Sequence, residues 1–416
     1  MKPARKDSEA AGNGPARMAR PRLPRTVWAL GLVSLCMDAS SEIIHALLPL
    51  FMTATLGLSV ATVGLIDGIA EATANITKLF SGWLSDRSGR RKPLILIGYG
   101  LAGLSKPLFP LANGALPIFG ARFADRIGKG IRGAPRDALI ADVTPAAQRG
   151  RAFGLRQSLD TAGAVIGPLL ALALMLLLAG DMRMVFWVAV IPAALAVLLI
   201  VFGVEDRAGD DMVVGTRLRW SDLGGLGAGF WLVVAVAVAF SLARFSEAFL
   251  ILKASEEGLT AALAPLVLIV MNLFYSAGAY PAGALSDRLA PRRLLLCGII
   301  VLVAGDLILA YGHGLAAAFA GIALWGVHLA LTQGILSRMI ADHAPPRLRG
   351  SAFGLFNLAT GVALLAASLA AGLLWDAFGS RATFVAAAGW AMVAGLLMVA
   401  LRRERASSAS EPGGLG

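Results

Sequence analysis

Cysteine is nearly missing from this chain: 416 residues hold two, Cys36 and Cys297, far apart and each inside an apolar stretch. That excludes a disulfide framework and the paired-cysteine spacing of a metal site. Histidine is as scarce, with four residues, and no H-E-x-x-H motif occurs, so the usual helical metal-hydrolase arrangement is absent. No glycine-rich loop of the Walker type is present, which leaves nucleotide-driven pumping without its phosphate cradle. Charged residues make up only 15% of the chain, against about 25% in ordinary soluble proteins. Residues 1–26 are polar and basic and lack the apolar core of a cleavable signal peptide.

What is present is apolar sequence in long blocks. The chain is 57% hydrophobic with a mean hydropathy of +0.74. Twelve blocks fall near 27–55, 60–84, 93–113, 116–142, 151–178, 183–203, 224–252, 261–284, 293–312, 315–341, 351–374 and 381–401. Each is long enough to cross a hydrocarbon layer of about 30 Å. The expected fold is an all-α polytopic membrane protein with twelve transmembrane helices, and its expected partners are the lipid bilayer and a small-molecule substrate. Net charge is +11, but the bases gather in alternate loops (Arg87 to Lys92, Arg149 and Arg151, Arg288 to Arg293, Arg347 and Arg349) and in both tails. That is a topology signal and not a nucleic-acid footprint; it predicts cytoplasmic N- and C-termini.

The chain repeats itself. Residues 140–155, IADVTPAAQRGRAFGL, return at 340–355 as IADHAPPRLRGSAFGL, with ten of sixteen positions identical at an offset of 200. Gly82–Lys92, GWLSDRSGRRK, returns as GALSDRLAPRR at Gly283–Arg293, offset 201. Two repeats at nearly the same offset predict two parallel six-helix halves related by an axis along the membrane normal. The expected division is a disordered cytoplasmic tail over 1–26, a bundle over 27–203, a cytoplasmic linker over 204–223, a second bundle over 224–401 and a cytoplasmic tail over 402–416.

The loop Gly82-x-Leu84-Ser85-Asp86-Arg87-x-Gly89-Arg90-Arg91-Lys92 on duplicated halves resembles the signature of the major facilitator superfamily, and the resemblance runs from about Val27 to Leu401. Arg122, with Gly128 and Gly130 behind it, is similar to that family's fourth-helix arginine motif. Gly163-x-x-x-Gly167-Pro168 resembles its fifth-helix motif of exporters, although Ala171 and Leu172 replace the usual glycine pair. A narrower resemblance, on Ser41-Glu42 and on Asp125-Arg126-x-Gly128-Lys129-Gly130, is to bacterial facilitator-type permeases of unassigned substrate. The superfamily resemblance implies two six-helix bundles around a cavity and a gating role for Gly82, Asp86, Arg87, Gly89 and Arg90. Asp142 is then the natural partner of that loop, with Asp287 and Asp342 as second-half equivalents. Gly163 and Gly167 can also be a packing motif, since small residues four apart let helices approach, with Pro168 bending the helix beside them.

Charges at membrane depth cost about 2.5–3.5 kcal/mol each on insertion scales, so they mark cavities or partners. Asp38, Ser41, Glu42 and His45 share one face of helix one, and Asp67, Glu71, Asn75 and Lys78 line helix two. Asp38, Glu42, Asp67 and Glu71 are the candidate proton carriers. Helix four carries Arg122, Arg126, Lys129, Arg132 and Arg136, and helix five adds Arg156 and Asp160. These bases either neutralise the carboxylates or hold an anionic solute; Arg126 and Lys129, nearest mid-depth, are the preferred contacts. His45, Arg122, Arg156 and Asp160 are further cavity candidates, and Asn272, Tyr275, His328 and Gln333 are expected to complete the cavity from the second half.

The expected function is secondary active transport of a small solute by alternating access, coupled to protons and directed outward as antiport. Import or exchange of an organic anion and efflux of a metal cation stand as alternatives; a membrane sensor or an embedded enzyme is the rival from another class. No cofactor, catalytic residue or metal is expected beyond the proton gradient, and the protein is expected to act as a monomer in a bacterial-type inner membrane.

Overall fold

The computed structural model describes residues 23–88, 90–145, 148–206, 226–286, 289–332, 334–344 and 348–410; at 79, 83, 86, 88, 280, 284, 286, 349–351 and 401–410 it describes backbone alone. The described chain is helical throughout, in twelve rods. They are α1 (Arg25–Thr55), α2 (Val60–Ser88), α3 (Lys92–Leu111), α4 (Ala115–Val143), α5 (Arg149–Leu177) and α6 (Met182–Gly203), followed by α7 in two segments (Ala228–Leu242 and Ala248–Glu256). The second half continues with α8 (Ala261–Gly283), α9 (Pro291–Tyr311), α10 (Gly314–His343), α11 (Arg349–Phe378) and α12 (Ser380–Ser410).

Nine of these rods are both long and apolar enough to cross a membrane. The three others are α2, α4 and α7. Rods α2 and α4 each span 29 residues, but their charges depress their hydropathy, and α7 is cut short by a break. Leu116, Leu177, Phe202 and Leu396 are exposed on the outer surface of the described chain, where lipid tails would satisfy them.

The break in α7 corrects the continuous block expected over 224–252. Helical bonding stops at Leu242 and resumes at Ala248. Ser246 makes the restart possible: its Oγ accepts from the Ala248 N–H at 3.2 Å, and its own N–H donates to Ser368 Oγ at 3.2 Å. A short hydroxyl side chain satisfies the free amides of a helix start where an apolar one could not. Rod α10 is interrupted as well, at Gly334, whose φ of +75° lies in the left-handed region. At the far end of α1 the helix widens into a π-turn over Phe51–Thr55.

The cores show how the halves meet. One buried cluster joins the end of α1 (Ile43 to Met52), Val63 and Ile66 of α2, and Phe186 of α6 to Phe240, Phe249, Trp325 and Phe384 of the second half. A separate cluster at the other end, Val27, Leu30, Val33, Ile95, Tyr99, Ile140 and Ile200, belongs to the first half alone. The halves are therefore fused at the end away from the basic loops and parted at the basic end. The broadest contact between them is α2 against α11, where Gly64 packs directly on the Ser368 carbonyl with no room for a Cβ. At the outer tip Asp376 of α11 accepts from the Val60 and Ala61 amides at 3.1 and 2.8 Å.

Candidate functional site

A cavity of about 560 Å3 enters the molecule from the basic end. It is walled by α1, α2, α4 and α5, with α8 closing the fifth side. Asp38, Glu42, Glu71, Lys78, Lys129, Arg132, Arg136, Arg156 and Asp160 line it, with Asn272 and Tyr275 from the second half.

Helix packing sets the positions of these charges. Rod α5 lies on α1 through Gly163 and Gly167: a Cβ on Gly167 would sit 2.5 Å from Glu42 Cβ and 2.8 Å from the Ala39 carbonyl, and one on Gly163 would sit 2.6 Å from the Leu35 carbonyl. The two glycines therefore let Asp160 of α5 approach Asp38 of α1, and these carboxyl groups come within hydrogen-bonding reach. Pro168 stands inside α5 beside that contact.

Behind the cavity wall lies a layer of closed ion pairs. Lys106 of α3, fully buried, donates to Asp125 Oδ1 at 2.8 Å and to Ser41 Oγ at 2.9 Å. Arg122 meets Asp67 at 3.0 Å, and the other oxygen of Asp67 accepts from Ser246 at the α7 break at 2.7 Å. Arg126 reaches Glu71 at 3.2 Å and Asp125 at 3.8 Å. Buried charges survive only when paired in this way. Of the residues expected at the cavity, Arg122, Arg126 and Asp67 are thus placed in this supporting layer; they are buried, Arg122 against Asp67 and Arg126 against Glu71 and Asp125. His45 faces Glu42 at 3.6 Å from behind the wall.

At the wall itself the pairing is looser. Arg132 stacks on the Tyr99 ring at 4.4 Å and has Asp38 at 3.9 Å. Arg136 donates to Ser34 at 3.0 Å and to Asp137 at 3.1 Å, with Asp160 at 3.7 Å. Arg156 holds Asp160 at 3.0 Å. Lys129 and Lys78 are exposed and make no hydrogen bond or ion pair among the described residues.

The second half contributes little charge. Asn272 donates to the Ala164 carbonyl of α5 at 3.4 Å. His328 does not reach the cavity: it is fully buried between Phe240 and Trp325, with Nδ1 3.2 Å from the Gly298 carbonyl. Its apolar surroundings on three helices pull it into the second-half core. Gln333, Gly89 and Asp287 lie outside the described residues, as does the side chain of Asp86. Gly82, at the inner part of α2, packs near Ala134; Arg87 and Arg90 are exposed. Asp142 is held by Arg91 Nε at 2.5 Å, and Arg91 also donates to Ser85 at 3.1 Å. Asp142 thus meets the loop at Arg91, the residue after Arg90. Asp342 is exposed.

Lys106, Ser246 and Tyr99 were not singled out in the sequence. A lone lysine in an apolar block carries no periodicity, but Lys106 has Asp306 at the repeat offset of 200, and that was a usable signal.

The profile of the Major Facilitator Superfamily matches residues 30–252 and 231–415. The chain belongs to this superfamily. It is a multi-pass membrane transporter and not an enzyme. It is 31% identical over 383 residues to an uncharacterized MFS-type transporter, MJ1317, of Methanocaldococcus jannaschii, a match that spans 91% of this chain and 95% of that one. A multidrug resistance protein, MdtH, of Aeromonas hydrophila is 31% identical over 143 residues, 34% of this chain and 36% of its own length. Among solved structures, the nucleoside transporter NupG aligns with a TM-score of 0.72 at 14% identity over 90% of this chain and 99% of that one. A bacterial homolog of the human lysosomal transporter Spinster, in an inward-facing and unoccupied conformation, aligns with a TM-score of 0.72 at 17% identity over 92% and 98%. At these identities the structural likeness establishes the fold of this MFS chain.

Proposed function

We propose that this MFS protein carries a small solute by alternating access and that protons drive it, with the Asp38–Asp160 pair at the cavity wall as the proton-carrying group. The meeting of these two carboxyl groups carries the reading. Two carboxyl groups in hydrogen-bonding reach hold a proton between them, because both cannot ionise side by side. They sit on different helices of the first bundle, so a small shift of α5 against α1 makes and breaks the shared site. Lys129 and Arg132 face Asp38, and Arg136, Arg156 and Lys129 face Asp160; these bases favour release once the pair parts. Glu42 and Glu71 line the same cavity and serve as a relay to it.

The basic end is read as cytoplasmic, supported by the bases of the alternate loops. In that orientation the described conformation is inward-open, and the plasma membrane of a bacterial-type cell is its place. Solute and proton then load from the same cavity and move together.

Export in exchange for protons is a second reading, favoured by the likeness to MdtH over about a third of the chain and by the fifth-helix motif. Proteoliposomes holding a pH-sensitive dye test both. Solute added outside is expected to carry protons inward with the parent protein and to fail with Asp160→Asn. Proton exit on solute entry would establish exchange, and unchanged proton movement in Asp160→Asn would remove the pair from its role.

A further inference from the structure

The charge in the cavity does not close. Each carboxylate on the wall already has a base or a proton partner: Glu71 has Arg126, Asp160 has Arg156 and Arg136, Glu42 has His45, and Asp38 has Asp160 with Arg132 behind it. Among the described residues two lysines are left over, and three guanidinium nitrogens, Arg126 Nε, Arg132 Nη1 and Arg156 Nε, are buried without an acceptor. Lys129 and Lys78 make no hydrogen bond and no ion pair among the described residues, and both are exposed to the cavity. Arg132 is 4% exposed, lines the cavity, and leaves its Nη1 buried without a hydrogen-bond partner among the described residues. A buried guanidinium nitrogen without an acceptor is costly, and native structures fill such positions with a ligand or water. Of these, Lys78, Lys129 and Arg132 lie together on the side of Gly133. The site where Gly133 would carry a Cβ is 3.8 Å from Lys78 Cε, and Lys129 and Arg132 stand on the same α4 within a turn of Gly133.

We infer that the cavity takes a small organic anion, whose carboxylate or phosphate group is held by Lys129, Lys78 and the free Nη1 of Arg132. The inference rests on the transporter reading of the same cavity and names its substrate class. A guanidinium edge and two ammonium groups suit an oxyanion: Arg supplies a fixed planar donor and lysines supply mobile point charges. Asn272 and Tyr275, across the cavity on α8, are left for the uncharged part of the solute.

Lys129 sits in a field of four carboxylates, Asp38, Glu42, Glu71 and Asp160. In the absence of a solute it serves as their tethered counter-ion. Arg126 and Arg132 add positive charge from the same helix, and Arg136 and Arg156 flank the Asp160 side. A proton taken up by the Asp38–Asp160 pair removes negative charge facing Lys129 and leaves its ammonium available. Proton and anion thus strengthen each other's binding, and by linkage the effect is reciprocal.

A thermal-shift panel on the purified full chain tests this. The probes are a short dicarboxylate, a sugar monophosphate, inorganic phosphate, a lipophilic phosphonium cation and phosphatidylglycerol micelles, each below and above neutral pH. A dicarboxylate or a phosphate is expected to raise the melting temperature, more strongly below neutrality. Lys129→Ala and Lys78→Ala are each expected to weaken that binding tenfold or more. Neither lysine makes a bond that folding depends on, so both variants report on the site. Lys129→Glu is expected to abolish the response to anions. Stabilisation by the phosphonium cation alone, or anion binding unchanged in Lys129→Ala, overturns the inference; a response only to phosphatidylglycerol reassigns the donors to lipid and overturns it as well. Proton movement driven by a cationic solute would defeat the anion class while the proton-coupled reading stands. Anion binding without any proton movement would do the reverse.

Discussion

The two halves of the chain share a backbone plan and differ in what they bury. Applied along α4 and α10, the offset of 200 sets Arg122, Arg126, Lys129, Arg132 and Arg136 against Ile322, Gly326, Leu329, Thr332 and Leu336. The first half builds a charged wall on the scaffold that the second half fills with apolar side chains. One interaction persists across the duplication with its chemistry exchanged. Lys106 of α3 bonds Asp125 of α4 at 2.8 Å; the counterparts, Asp306 of α9 and Trp325 of α10, bond at 2.9 Å. The repeat keeps a polar link between the third and fourth helix of each half. In the first half the link is an ion pair inside a larger charge network, and in the second it is a single indole–carboxyl hydrogen bond in an aromatic core. A link of the second kind holds helices together without feeding charge to a cavity, which fits a half that supplies the opposite wall.

The comparison can be broken most forcefully at Lys106. Lys106→Met leaves Asp125 buried with Arg126 at 3.8 Å as its remaining base, so a loss of about 3 kcal/mol is expected, read as a lowered melting temperature in detergent. If the second-half link is the simpler one, Asp306→Asn, which keeps the oxygen facing Trp325, is expected to cost less than about 1 kcal/mol. Equal losses at the two sites would show that the halves do not differ in this way.

The next effect concerns helix approach. Gly163 and Gly167 of α5 correspond to Ala363 and Ala367 of α11. A methyl group at 167 collides with Glu42 and the Ala39 carbonyl, so Gly167→Ala is expected to cost about 1–3 kcal/mol and to impair transport by separating Asp38 from Asp160. Ala367→Gly, within a helix, is expected to cost about 0.5–1 kcal/mol and to leave transport intact. Melting curves and vesicle uptake on the two variants check both.

The smallest expected effect is at the rim. Glu257, just past the end of α7, accepts from Lys253 at 2.6 Å and from the Gly314 amide, and these bonds lower its pKa below the ordinary glutamate value. A lowered carboxyl pKa contributes stability above the unfolded pKa of about 4.3 and loses it as pH falls through the folded value. Glu257→Gln is therefore expected to lower the melting temperature slightly at neutral pH, by no more than about 1 kcal/mol in free energy. The gap to the parent should shrink under acid. A gap that widened with acid would reverse the assignment.

Most of the architecture was legible before the structure. Block lengths, alternating basic loops and the two repeats specified the rods and their pairing into halves, because each is a property of the chain taken in order. The break in α7 was not legible, since Phe240 to Leu252 holds Ser241, Arg244, Ser246 and Glu247 and nothing in their order marks Ser246 as the residue at which the helix restarts. Its meaning depends on Asp67 and Ser368, which are distant in sequence. The charged residues that line the cavity were visible, but Lys106 of the supporting layer was not, nor was the division into that layer and a working wall. Arg126 and Lys129 stand three residues apart on one helix and looked equivalent. Their rotation about the α4 axis turns Arg126 toward Glu71 and Asp125 and leaves Lys129 open, and only the packing of α2 and α3 against α4 decides that.

The carboxylate of Asp376 grips two amides at the start of α2, at a place where all the groups involved are exposed to solvent. A clasp of that kind is nearly isoenergetic with its released form, because water replaces each bond as it breaks. The closed end is then held shut by the fit of Gly64 on α11 and by the shared apolar core, and the clasp serves to set register. A hinge closed by shape and merely aligned by hydrogen bonds can turn over quickly under a modest bias, such as a single proton or a single anion arriving in the cavity below.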